Sequence, residues 1–262
     1  MNRDALSMFS LGNELTRRWL LFISGLARRA RFLREPRPEG VRGPSPHLLV
    51  GELAALRRGR AKAGSAPYRA LKPQPVMLLP GFGSHPRRMR PLLDGLRAAG
   101  HSVEEWGLGF NLGPTPENFR FLLRRVTALA QVYGKPITLV GWSLGGLYAR
   151  EIAHRQPQHV ARVVTMGTPF SGDRRANNAW RAYQVVTGHS VEAPPVECEM
   201  TGKPPVPTVA LWSPRDGVVH PRSAAGWPDE RDRAVALRCT HLGFAADPSV
   251  IAEVLRQLDM DE

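Results

Sequence analysis

The chain has 262 residues, enough to bury one sizeable core, with 42% hydrophobic and 23% charged residues. That balance excludes a disordered or fibrous chain, and no apolar run reaches the roughly 18 residues needed to cross a membrane as a helix. The net charge is +13, yet residues 1–72 hold 15 Lys and Arg against 5 Asp and Glu, while residues 73–262 hold 21 against 18. The basic excess therefore belongs to an N-terminal segment, which suits contact with anionic lipid. Nucleic acid is not expected as a partner, because zinc spacing, RNP-like aromatics and a helix-turn-helix pattern are all missing from the sequence. Two cysteines, Cys198 and Cys239, make no disulfide framework; they read as free thiols, with pairing the alternative in an exported protein.

In chain order, residues 14–34 (ELTRRWLLFISGLARRARFLR) read as one helix. Leu15, Trp19, Phe22, Ile23, Leu26, Ala30 and Leu33 share a face, with Arg17, Arg18, Arg28, Arg29 and Arg31 mostly off it. Such a helix either packs on the main domain or lies in a membrane interface with its arginines near lipid phosphates. A secretory signal over the same apolar stretch is the second choice. The proline-rich stretch Arg34–His47 reads as linker, a short helix follows near Leu48–Arg58, and Gly59–Pro75 is loose again.

From Val76 the pattern changes to alternating strands and helices. Strands are expected at 76–80, 101–106, 136–142, 160–167, 206–213 and 233–238, with helices at 86–99, 116–133, 145–156 and 248–258. Strands alternating with helices and apolar on both faces imply a mostly parallel, doubly wound α/β sheet. Residues 171–205 break the alternation, with four prolines (194, 195, 204 and 205) and one amphipathic piece near Ala179–Val186. An insertion of that length between sheet strands is expected to cap a site.

The chemistry centres on GWSLGG, Gly141 to Gly146. A strand ending at Trp142 and a helix opening near Gly145 leave Ser143 on a sharp turn that needs small neighbours. A serine hydroxyl is a poor nucleophile without a base. Asp216 follows one later strand and His241 follows the next, so the order is Ser, Asp, His. His220, Asp229 and Asp232 are rivals without that end-of-strand placement. The amide of Leu144, next to the serine, and that of Phe82, in the glycine-rich loop PGFG after the first strand, are the expected oxyanion donors. Trp142 and Phe170 are expected to line a substrate pocket. No dinucleotide or P-loop glycine pattern and no metal-ligand spacing is present in the sequence, so no cofactor is implied.

The motifs LLPGFG, WGLGFNLGP, LVGWSLGGLYARE, VVTMGTPFSGD, SPRDGVV and HLGF resemble the α/β-hydrolase superfamily, and its bacterial esterase and lipase-like members in particular, over roughly residues 73–258. The resemblance implies an α/β-hydrolase fold with a small cap insertion and an N-terminal helical extension (residues 1–72). It matches Ser143, Asp216 and His241 to the triad, and Phe82 and Leu144 to the oxyanion positions. Many relatives carry His-Gly where this chain has Pro80-Gly81, a difference that bears on substrate preference. The expected activity is hydrolysis of carboxylic esters, lipophilic ones in particular, through an acyl-serine. The alternatives are acyl transfer from the same site, or membrane-surface binding on a hydrolase scaffold. The expected location is the cytoplasm, with peripheral contact at the inner membrane through residues 14–34. The substrate is a small-molecule ester or lipid, and the oligomeric state is left open.

Overall fold

The computed structural model describes residues 24–57, 68–199 and 202–260. Among these, strands β1 (Pro75–Leu79), β2 (Ser102–Glu105), β3 (Ile137–Trp142), β4 (Val160–Met166), β5 (Thr208–Trp212) and β6 (Arg233–Ala236) form one sheet. Its spatial order is β2-β1-β3-β4-β5-β6, and every adjacent pair runs parallel. The α/β reading of the sequence is thus correct, and the sheet is parallel throughout.

Side chains alternate across a strand, so a strand apolar at every position must be covered twice. Val76 and Leu78 of β1 join one core, with α3 (Arg90–Ala98) and α8 (Pro248–Asp259). Met77 and Leu79 point the other way and join a second core, with α4 (Pro116–Tyr133) and α5 (Leu144–Arg155). Local caps fix where these helices begin. The Thr115 hydroxyl accepts from the Asn118 amide at the start of α4, and Asp247 accepts from the Ser249 amide at the start of α8.

The order of the sheet reverses between β1 and β3, because β2 lies on one side of β1 and β3 on the other. The carboxyl ends of strands flanking such a reversal leave a crevice, which is where open α/β sheets place ligands. The loop holding Phe82 follows β1, and Ser143 follows β3.

Above that crevice sits the insertion, with α6 (Trp180–Thr187) at its centre. The five-residue α7 (Pro221–Ala225) follows β5 and has no counterpart in the sequence expectations. N-terminal to the sheet lie α1 (24–34) and α2 (Pro46–Arg57). The remainder of the helix expected over 14–34, residues 14–23, lies outside the described residues. The two ends of α1 differ from the expected face. Leu26 and Leu33 are exposed, while Arg29 and Phe32 are half-buried. Arg29 Nε donates to the Val185 carbonyl of α6 at 2.9 Å.

The segment between α1 and α2 is tied to the insertion by polar contacts. The Glu35 carboxylate accepts from Arg175 and from Gln184, each at 2.8 Å. Arg37 donates to the Asn177 carbonyl at 2.9 Å, and Asn178 Nδ2 donates to the Pro44 carbonyl at 3.1 Å. A proline-rich stretch without regular structure has free carbonyls, and here the insertion's side chains use them.

Candidate active site

Ser143 takes φ 54° and ψ −122°, and it is the sole non-glycine residue with positive φ among the described residues. Such a backbone costs on the order of 1–3 kcal/mol and persists only where the surroundings over-determine it. Here the strand and helix meet almost without a loop. A Cβ on Gly141 would lie 2.4 Å from the Gly145 carbonyl oxygen, and one on Gly145 would lie 2.2 Å from that of Leu79. The Ser143 amide donates to the Met166 carbonyl of β4 at 2.8 Å, which holds the turn against the sheet.

Leu144 is the first residue of α5, so its amide has no acceptor within the helix. The loop after β1 comes close to the same point, since a Cβ on Gly81 would stand 3.2 Å from the Ser143 Cβ. Neither the Leu144 nor the Phe82 amide donates to a protein acceptor among the described residues.

A residue not singled out from the sequence shapes that loop. Asn111 is fully buried, and its Nδ2 donates to the Pro80 carbonyl at 2.7 Å. Its carbonyl accepts from the Gly83 amide at 2.7 Å, and its amide donates to the Ser84 carbonyl at 3.0 Å. The motif WGLGFNLGP, which holds it, was visible in the sequence. Its bond to Pro80, 31 positions earlier, was not.

Asp216 follows β5 and His241 follows β6, and their side chains meet. His241 Nδ1 lies 2.8 Å from Asp216 Oδ2, with 4% and 1% of the two residues exposed. Asp216 Oδ1 accepts from the Val218 and Val219 amides at 2.8 and 2.7 Å. Both oxygens are thereby engaged, which holds the carboxylate in place. Burial beside a carboxylate favours the tautomer with the proton on Nδ1, leaving Nε2 as the basic nitrogen. The His241 carbonyl accepts from Trp142 Nε1 at 3.1 Å, which ties the histidine loop to the residue before Ser143. Two of the rivals are engaged elsewhere: His220 caps α7, and Asp232 binds Lys203 and Thr208.

Ser143 and Leu144 form part of the wall of a cleft of about 900 Å³, counted to its open mouth. Phe82, Leu147, Tyr148, Trp180, Tyr183 and Val219 are among its other walls, so the insertion supplies one side of it. The Phe82 and Tyr183 rings of this lining pack against each other, tilted, with centroids 5.5 Å apart. Burial pushes the Tyr183 hydroxyl up to about 12 and also raises the Tyr148 hydroxyl and the Cys198 thiol. These groups are therefore uncharged at neutral pH, and Glu151 and Arg174 are the acidic and basic side chains of the lining.

Trp142 and Phe170, expected in the pocket, are not among its lining residues. Trp142 points into the core shared with α3 and α8. Phe170 is fully buried, with the Arg150 guanidinium 4.2 Å above its ring. Both sit next to residues that do line the cleft, Ser143 and Pro169, and alternation along β3 turns Trp142 inward.

Residues 74–192 match the family model described as alpha/beta hydrolase fold. The biotin biosynthesis bifunctional protein BioHC of Teredinibacter turnerae is 30% identical over 111 residues, which is 38% of this chain and 19% of that protein. The pimeloyl-acyl-carrier-protein methyl ester esterase of Edwardsiella ictaluri is 35% identical over 95 residues, 36% of each chain. The matched stretch is thus well under two thirds of the length of either curated relative. The Bacillus licheniformis lipase BlEst2 in mature form superposes with a TM-score of 0.55 at 14% identity, covering 76% of this chain and 97% of that one. With a parallel sheet of this order, a strand–serine–helix turn at its reversal and a family-model match over residues 74–192, the chain has an alpha/beta hydrolase fold.

Proposed function

We propose that the protein is a serine hydrolase of carboxylic esters with a lipophilic acyl group. The observation that carries this reading is the buried 2.8 Å hydrogen bond between His241 and Asp216, whose carboxylate also holds the amides of Val218 and Val219 in the wall of the cleft that Ser143 lines. In the proposed reaction the Ser143 hydroxyl oxygen attacks the ester carbonyl carbon while His241 takes its proton. The tetrahedral oxyanion is held by the amides of Phe82 and Leu144. Collapse breaks the bond to the alcohol oxygen, which leaves with the proton from His241, and the acyl group stays on Ser143. Water, deprotonated by the same imidazole, then releases the acid. Asp216 orients the imidazole and stabilises its cation throughout. The name of the Edwardsiella relative, a methyl ester esterase, accords with this reaction class.

The substrate class rests on the walls. Phe82, Leu144, Leu147, Trp180, Tyr183 and Val219 suit an acyl chain. Peripheral contact with an anionic membrane would go through α1, where Leu26 and Leu33 are exposed among arginines.

The test is labelling with a fluorophosphonate probe, peptide mapping of the adduct, and turnover of p-nitrophenyl esters of increasing chain length. The adduct is expected on Ser143, with turnover rising as the chain fills the cleft. Ser143→Ala is expected to lower kcat on the order of 10⁶-fold. An adduct elsewhere, or turnover that survives this substitution, would end the assignment.

A further inference from the structure

Glu52 lies in α2, in the N-terminal extension that sequence reasoning set apart from the chemistry. Only 2% of it is exposed, and its carboxylate is spent entirely on the two loops that carry Asp216 and His241. Oε1 accepts from the Gly217 amide at 2.9 Å and from the His241 amide at 2.5 Å. Oε2 accepts from the Leu242 amide at 2.9 Å. The three donors are the residue after the acid, the histidine itself and the residue after it. No other side chain among the described residues bonds to both loops' amides.

The fit is close as well as polar. A Cβ on Gly217 would stand 2.6 Å from the carbonyl carbon and oxygen of Leu48, so the start of α2 rests directly on the loop of the acid. A buried carboxylate is stable there only because its amide partners replace water. The parallel neighbours β5 and β6 end at Trp212 and Ala236, and past them no ladder fixes the distance between the two loops. Three links span that gap: the Ser213 hydroxyl, which accepts from the Arg215 amide and donates to the Cys239 carbonyl, the bond between Asp216 and His241, and Glu52, which holds the amides beside both catalytic side chains.

We propose that Glu52 is a positioning residue for the Asp216–His241 pair, so that the N-terminal extension completes the active site. The role rests on the serine-hydrolase reading above. With the backbones of residues 217, 241 and 242 held by one carboxylate, the imidazole stays aimed at Asp216 while it gains and loses its proton. Glutamine cannot replace it, because its amide nitrogen would face a backbone donor at one of the three contacts.

The test uses the full chain, with Glu52→Gln and Glu52→Asp compared against the unaltered protein. The first readout is kinetic, with p-nitrophenyl esters. The kcat is expected to fall about 10- to 100-fold at nearly constant KM, the size associated with small misplacement of a catalytic group. The second readout needs no substrate: the side-chain nitrogen NMR shifts of His241, assigned by their loss in His241→Ala. The unaltered protein is expected to show one tautomer, protonated at Nδ1, and the Glu52 variants a mixture. A single unchanged tautomer in both variants overturns the role whatever the activity. Loss of folding in both also overturns it, since Glu52 would then serve the fold and not the pair. If Ser143→Ala keeps its turnover, the esterase reading fails by itself, and the tautomer measurement still decides what Glu52 does.

Discussion

Asp216 and His241 stand 25 positions apart, each just beyond the end of its own parallel strand, and share a 2.8 Å hydrogen bond closed off from solvent. Asp216 also accepts from two amides of its own loop, so its geometry survives loss of the charge. Asp216→Asn is therefore expected to fold normally while presenting an amide N–H or a poorer acceptor to Nδ1. The wrong tautomer then dominates, and kcat should drop on the order of 10⁴-fold. Ester kinetics beside a thermal melt check this, and an active variant would remove Asp216 from the mechanism.

The strain at Ser143 gives a prediction of opposite sign for stability. Glycine occupies φ 54° without a steric penalty, although its unfolded chain has more freedom to lose. With about 1–3 kcal/mol of strain relieved and about 0.5–1 kcal/mol lost to entropy, Ser143→Gly should be more stable by about 1 kcal/mol while losing its activity. Urea unfolding at constant slope measures the gain. A variant less stable than the parent would show that the hydroxyl contributes more to the fold than the turn costs.

Asp259 closes the far end of the domain. Burial favours its neutral form, but hydrogen bonds from the Tyr68 hydroxyl and from the Leu71 and Lys72 amides outweigh this and hold its carboxyl below the usual range. A depressed folded pKa contributes stability that is complete above the unfolded value, about 3.9, and disappears as pH falls through the folded value. The gap in Tm between the parent and Asp259→Asn should accordingly be widest near pH 6 and shrink towards pH 3. A gap independent of pH would mean that the ionised form has no preferred place in the fold.

For the surface of α1, substitution is a better probe than truncation, because removing the extension would also remove Glu52 from the His241 loop. Leu26→Glu combined with Leu33→Glu reverses the character of the exposed positions and touches nothing near the cleft. Sedimentation with vesicles of anionic lipid should show weaker binding than the parent, with ester turnover in solution unchanged. Equal binding would dismiss a membrane role for this helix.

The elements of the sheet could be read in advance because their signals are local. VMLL and ITLVGW are apolar at nearly every position, which only a strand covered on both faces explains. The turn at Ser143 was legible for a similar reason, since the crowding that demands glycine at 141 and 145 arises within a few residues and one neighbouring strand. Asp216 and His241 could be nominated because each follows a strand at once.

Tertiary structure alone decided the rest. In α1 the periodicity put Leu26 and Leu33 on the packing face, yet Arg29 and Phe32 turn towards the domain, since the partner on α6 offers a carbonyl and not an apolar groove. Trp142 went to the core and not the cleft because of the face of β3 it occupies, and Phe170, past the end of β4, is buried under the Arg150 guanidinium. Glu52 carried no local signature, and the motif holding Asn111 gave no sign of what its side chain binds. A buried polar side chain is explained by the backbone donors and acceptors it satisfies, and here the amides bound by Glu52 lie 165 to 190 positions away. Sequence alone determined the alternating sheet and its serine turn, because short-range sterics and periodicity act within each segment. Only the folded chain determined what holds the loops above that turn in place, because the hydrogen bonds that do so join residues the sequence keeps far apart.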